Sequence, residues 1–305
     1  MNLNVNFCGI NFPNPTVLAS GYLGVTGASL INCVNHGCGG VTGKTLFLEE
    51  RSGHPNPTVL TFQGGIINAI GLCGEGVKNA GHEFEKYKEA NPDNPLIGSV
   101  GGGNMEALVE CAQIMDSYPV DLIELNFSCP NVHDEMGRPF ACDPKMTFDA
   151  TTAVRKVTKK PISVKLSPNV SNIGLIAKQA EAAGADAITA VNTMGPGMLI
   201  DIHMRRPVLA NKVGGVGGYA ITPIALRCVY DIYKAVQIPI IGTGGVITGE
   251  NAIAMLMAGA SLLGIGSAIA YYDMTAFEMI TDKIRAFMKE EGFNDVSELV
   301  GLAHQ

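Results

Sequence analysis

The chain has 305 residues, 47% hydrophobic and 16% charged, with a formal net charge of −7. That length holds a large core in a single unit, since α/β barrels of ~250 residues or more are ordinary. The acidic balance, with Lys and Arg dispersed, argues against nucleic acid or an anionic membrane surface as a partner.

In chain order, short apolar or β-branched runs occur at PTVLAS (15–20), GGVTGKTL (39–46), PLIGSV (95–100) and DLIELNF (121–127). They continue at PISVKLS (161–167), DAITAVNT (186–193), PIIGTGG (239–245) and SLLGIGS (261–267). Most are continuous rather than alternating, as parallel strands covered on both faces require. Helical patterns lie between them, for instance at 104–118 and 172–185, and AGAD (183–186) and AGAS (258–261) read as helix-to-strand turns. Eight such units predict an α/β fold of the (β/α)8 TIM-barrel type, one domain over 1–305, with a doubly wound sheet as the alternative. The stretches 47–94 and 194–238 are too long for simple crossovers and are expected to form functional loops over the C-terminal face.

Ala252 to Tyr272 carries no charge. We read it as a buried helix, a turn at Gly259 and a buried strand rather than a membrane span, because Gly259, Ser261, Gly264, Gly266 and Ser267 interrupt it. No charged and then apolar segment opens the chain, so a secretory leader is not expected. The eight cysteines show no CxxC and no zinc or iron–sulfur spacing. They read as reduced thiols of a cytoplasmic protein, with no metal site.

Chemistry in such barrels sits at the C-terminal ends of the strands. Those ends are Ala19-Ser20-Gly21, Lys44-Thr45, Ser99, Asn126 with Cys129, Lys165, Asn192-Thr193, Gly244-Gly245 and Gly266-Ser267. Glycines ending the last two strands suit a phosphate cradled by backbone N–H groups, though a tight turn alone explains a Gly-Gly pair. Lys44 and Lys165 are either a cationic pair beside a cofactor ring or members of structural ion pairs, with no acidic partner close in sequence. Asn68, Asn126, Asn131 and Asn192 suit a planar heterocycle with amide edges. Cys129 is a core thiol, a nucleophile with His133, or a general base on a loop that can approach substrate. Its Ser-Cys-Pro-Asn setting fits the base best.

The motifs ASG (19–21), GKT (43–45), NAIGL (68–72), NFSCPN (126–131), VKLSPN (164–169), VNT (191–193), GGVGG (214–218), GTGG (242–245) and IGS (265–267) appear in this order. Together they resemble the class 1 dihydroorotate dehydrogenases over essentially the whole length. The resemblance implies an FMN-binding barrel that oxidises (S)-dihydroorotate to orotate in pyrimidine synthesis. Cys129 would remove the C5 proton while C6 delivers hydride to flavin N5. Class 2 members place serine there and carry a membrane-associating N-terminal extension, which this chain is not expected to have. The run IDIHMRRPVLAN (200–211) resembles the B type, whose partner subunit carries FAD and a 2Fe–2S cluster and passes electrons to NAD. The fumarate-using A type is the alternative, and a homodimer is expected in either case.

Carried over, substrate would meet Lys44, Asn68, Ala69, Ile70, Gly71, Leu72, Asn126, Asn131, Asn192 and Thr193. FMN would meet Ala19, Ser20, Gly21, Lys44, Thr45, Ser99, Asn126, Lys165, Val191, Gly217, Gly244, Gly245, Gly266 and Ser267. Three departures stand out. Ser99 replaces the usual asparagine, Gly74-Glu75 replaces Asn-Pro after NAIGLC, and Gly217-Gly218-Tyr219 replaces Ser-Gly-Pro, which is expected to loosen the flavin loop. Rival readings are a dihydropyrimidine dehydrogenase-like flavoprotein acting on uracil or thymine, and a catalytically silent assembly barrel.

Overall fold

The computed structural model describes residues 1–127 and 140–305. Eight parallel strands close into a barrel in sequence order. They are β1 (Thr16–Leu18), β2 (Gly40–Thr42), β3 (Leu96–Val100), β4 (Leu122–Asn126), β5 (Ile162–Leu166), β6 (Ala187–Ala190), β7 (Ile240–Thr243) and β8 (Leu262–Ile265). Each falls inside one of the eight runs read from the sequence, and β8 pairs with β1 to complete the ring. Their near-continuous burial explains why the runs show no alternation: one face packs into the barrel and the other against helices.

The helices are α1 (Gly27–Asn35), α2 (Gly81–Ala90), α3 (Met105–Asp116), α4 (Pro144–Arg155), α5 (Ile173–Ala182), α6 (Thr222–Tyr233), α7 (Gly249–Met257), α8 (Ala268–Tyr272) and α9 (Ala276–Glu291). Several start where a side chain satisfies an orphan N–H. Thr26 accepts from Ser29, Asn104 from Ala107, Asp143 from Met146 and Asn172 from Leu175. Thr248 and Asn251 form a reciprocal capping box at α7. Residues 252–265 resolve into most of α7, a turn with Gly259 at φ +118° and β8, as read from the sequence, and α8 follows as an additional short helix. Among the described residues no helix is long and apolar enough to cross a membrane.

The N-terminal end of the barrel is plugged. A hairpin of Val5–Phe7 and Ile10–Phe12 turns Phe7 and Phe12 inward onto Val17, Ile97, Leu122, Ala187, Ile241 and Leu262. The two rings meet edge to face at 6.2 Å. The opposite mouth is covered by the two long insertions. The first supplies strands Val59–Phe62 and Gly65–Asn68, and the second Met194–Gly197 and Gly214–Gly217. Gly214–Gly217 pairs with Gly65–Asn68, so the insertions join into one four-stranded sheet outside the barrel.

Candidate active site

Two adjoining cavities occupy the C-terminal mouth, of about 320 Å³ and 80 Å³. They share Ser20, Tyr22, Lys165, Asn192 and Thr193. The larger runs from the barrel ends under the insertion sheet, bounded by Gly21, Lys44, Thr45, Asn68, Ile70, Gly71, Leu72 and Asn126. The smaller is bounded by Ala19, Val191, Gly217, Gly244, Gly245, Gly266 and Ser267. Two regions far apart in sequence thus form one divided site.

The larger cavity rests on a hydrogen-bonded floor. Thr45 Oγ1 lies 2.9 Å from Ser20 Oγ and 2.9 Å from Ser99 Oγ, and accepts from Asn126 Nδ2 at 3.1 Å. Asn192 Nδ2 donates to Asn126 Oδ1 at 3.5 Å, and Thr193 N donates to Asn192 Oδ1 at 2.7 Å. Asn68 Nδ2 donates to the Gly215 carbonyl at 3.4 Å, which ties the first insertion to the second beside the cavity. Such a floor holds its amides at fixed orientation, as recognition of a planar polar molecule requires.

Lys165 takes one of the two readings the sequence left open, that of a structural ion pair. It has an acidic partner, Glu124 on the adjacent strand, with Nζ to Oε1 at 3.6 Å and both side chains almost fully buried. The pair is invisible in sequence because parallel-strand register creates it: Asn126 lies opposite Lys165, and Glu124 lies one inward position deeper on β4. Lys165 still lines both cavities.

The smaller cavity is made of exposed backbone. A Cβ placed on Gly217 or Gly266 would meet no atom closer than 3.5 Å or 3.4 Å respectively, ordinary contact distances, so packing does not demand glycine at these two cavity-lining positions. Glycine there leaves room to a ligand. Gly245 has a different reason: its φ is +72°, and a Cβ there would lie 2.3 Å from Thr222 Oγ1. The Thr222 hydroxyl donates to the Gly245 carbonyl at 2.9 Å and fixes this turn at the start of α6. Bare backbone beside a lysine and hydroxyls fits a phosphate-bearing group. The Gly217–Tyr219 segment is held rather than loosened. Gly217 pairs with Ile66, the Tyr219 ring sits 5.4 Å from that of Tyr271, and its hydroxyl lies 3.1 Å from that of Tyr272.

Most residues named from the sequence line one cavity or both. Two described ones do not. Ala69 is fully buried, its N–H donating to the Thr58 carbonyl. Ser99 is also fully buried, one layer below the cavity, between Thr45 and Glu124. Cys129 and Asn131 lie outside the described residues. Tyr22, Leu23, Val59 and Ile221 line the cavities without having been anticipated. Tyr22 and Leu23 follow the ASG motif directly, which was a usable signal; Val59 arrives only through the fold of the first insertion. Burial pushes the Tyr22 hydroxyl up, partly opposed by its hydrogen bond with Ser267. Among the described residues no cluster of His, Cys, Asp or Glu could hold a metal ion.

A closed parallel barrel whose mouth divides into an amide- and lysine-lined chamber and a glycine-lined one has the architecture of a barrel enzyme with its site at the C-terminal face. Its lineage follows from comparison with known proteins. A family model described as dihydroorotate dehydrogenase matches residues 2–288. Relatives named dihydroorotate dehydrogenase B (NAD(+)), catalytic subunit, include those of Methanothermobacter thermautotrophicus (44% identical, covering 99% of this chain and 98% of the relative) and Methanocaldococcus jannaschii (42%, 99% and 98%). That of Pyrococcus furiosus is 41% identical over the full length of both chains. The chain belongs to the dihydroorotate dehydrogenase family, and is an oxidoreductase.

Proposed function

We propose that this chain oxidises dihydroorotate to orotate in pyrimidine biosynthesis, with FMN as its cofactor and Cys129 as the general base. The observation that carries the reading is the divided cavity, whose halves meet at Ser20, Lys165, Asn192 and Thr193. Lys44, Asn68, Asn126 and Asn192 would hold the pyrimidine amides and carboxylate in the larger chamber. Gly217, Gly244, Gly245, Gly266 and Ser267 would hold the FMN phosphate in the smaller. When bound, FMN supplies the two-electron acceptor.

Lys165 would stand at the junction, where a cation favours the charge that reduction adds. Cys129, three residues beyond Asn126 at the end of β4, would take the C5 proton from substrate held over Asn126. The relatives' names specify a catalytic subunit and NAD(+), so we read the chain as a B-type subunit. It would form a cytoplasmic homodimer and pass electrons to a subunit carrying FAD and a 2Fe–2S cluster. The whole chain, 1–305, would act as one catalytic domain.

Anaerobic addition of dihydroorotate to protein reconstituted with FMN tests this. The oxidised flavin absorbance should disappear, and should not disappear with dihydrouracil. Protein that binds no FMN, or that is bleached by dihydrouracil and not by dihydroorotate, would overturn the reading. Rapid fumarate reduction by the isolated chain would overturn the B-type assignment alone.

A further inference from the structure

Glu124 is a buried carboxylate that the reaction above leaves without a role. It is only 3% exposed, on β4, directly opposite Ser99 of β3. Its Oε1 accepts from Ser99 Oγ at 3.0 Å and lies 3.6 Å from Lys165 Nζ. As the anionic member of an ion pair, the carboxylate has acceptor sites only. The single Ser99 proton is therefore committed to Glu124. Thr45 must then donate to Ser99 across their 2.9 Å contact, and Ser20 must donate to Thr45 across theirs. The Thr45 oxygen can accept this bond beside the one from Asn126 at 3.1 Å, and the two fill its lone pairs. Proton order thus runs Ser20, Thr45, Ser99, Glu124, from the shared cavity wall to the buried charge. Ser20 Oγ also accepts from the Thr45 N–H at 2.9 Å, so it is left with one acceptor position to offer a ligand.

We infer that Glu124 is a positioning residue for the flavin half of the site. It acts through Lys165, which lines both cavities, and through the hydroxyl chain that ends at Ser20. It tethers Lys165 Nζ to the barrel wall and offsets its charge. Burial makes that offset strong, because little water screens a pair at 3.6 Å where both side chains are almost fully enclosed. The pull that Lys165 exerts on a reduced cofactor is then set by Glu124 rather than by the lysine alone. Two lysines at the mouth would otherwise favour the reduced, anionic form more strongly. The inference rests on the FMN reading above.

The test is the FMN midpoint potential of the reconstituted full chain, compared with Glu124→Gln. Glutamine keeps the shape and an acceptor for Ser99 but removes the negative charge. The ratio of affinities for reduced over oxidised FMN should rise at least tenfold, an upward shift of about 30 mV for a two-electron couple. Glu124→Asp, which keeps the charge but retracts it from Lys165, should shift the potential upward by less. A merely structural Glu124 would weaken both redox forms alike, leaving the potential unmoved, and that result overturns the inference; so does a downward shift. If Glu124→Gln yields no folded protein, Glu124→Asp decides alone, an upward shift supporting and an unchanged or lowered potential overturning. Parental protein that binds no FMN would overturn the functional reading and this inference together, whereas FMN-binding parental protein with unmoved variants overturns only this inference.

Discussion

At its N-terminal end the barrel is filled by Phe7 and Phe12 packed on the early residues of the strands, whereas at its C-terminal end the mouth is lined by Thr45, Asn126, Lys165 and glycine turns. Two or three residues along one strand separate these regimes. Leu122 of β4 packs under the aromatic plug, Glu124 is in the buried ion pair, and Asn126 lines the cavity. At the lower end, close contact does the work. Phe12 approaches so near that a Cβ on Gly40 would lie 2.5 Å from its ring. At the upper end, the same kind of backbone leaves space and directs polar groups into it. The comparison teaches that stability and chemistry are divided along the barrel axis, so changes at one end should leave the other largely intact.

The strongest attempt to break that division is Cys129→Ala. Flavin reduction by dihydroorotate should fall by about 10²–10⁴-fold, the usual contribution of a general base, with FMN affinity and thermal stability retained. Stopped-flow reduction at the parental rate would remove Cys129 from the mechanism. Cys129→Ser should keep slight activity that recovers as pH rises.

Phe12→Ala probes the other end. Truncating a fully buried ring should lower unfolding free energy by about 3–5 kcal/mol in denaturant melts while the FMN dissociation constant stays near the parental value in the remaining folded protein. A matching loss of FMN affinity under native conditions would show that the plug also shapes the mouth, and the division would fail.

A third effect is spread over the barrel body. Burial, with a smaller push from Asp186, raises the Cys8 thiol to about 12, and burial raises Cys33 and Cys111 to about 12 as well. Each is protonated in the fold above the pH at which the unfolded chain releases its proton. The unfolded state then binds fewer protons, so stability falls as pH rises. It should be intact below pH 9 and decline from there towards about 12, the window between the ordinary and the folded values. Each fully titrating thiol contributes a slope of about 1.4 kcal/mol per pH unit. A melting temperature that stays level across that window would contradict these buried thiols.

The smallest expected effect sharpens the comparison inside the mouth. Tyr22→Phe keeps the ring beside both cavities but removes the hydroxyl bonded to Ser267. Loss of one hydrogen bond of about 0.5–1.5 kcal/mol should weaken FMN binding a few-fold in a fluorescence titration, leaving stability nearly unchanged. A larger effect on folding than on FMN would move Tyr22 from the site to the scaffold.

The strand positions were legible because burial on both faces writes itself as largely apolar runs, as at Leu262–Ile265, each ending in polar or glycine residues. The chain order of those ends also placed Ser20, Lys44, Asn126, Lys165 and Asn192 at one mouth once eight units implied a barrel. Local periodicity and strand-end chemistry depend on residues within a few positions of each other, so the chain alone determined them. Other features needed the closed ring. Lys165 acquires Glu124, and Ser99 turns from a site candidate into a link between Thr45 and that carboxylate, because register brings three strands side by side. Val59 reaches the cavity, and Gly217 meets Ile66, because two insertions far apart in the chain pair into one sheet. Such contacts depend on inter-strand register and loop docking, which a linear pattern does not encode, and there the tertiary structure alone decided.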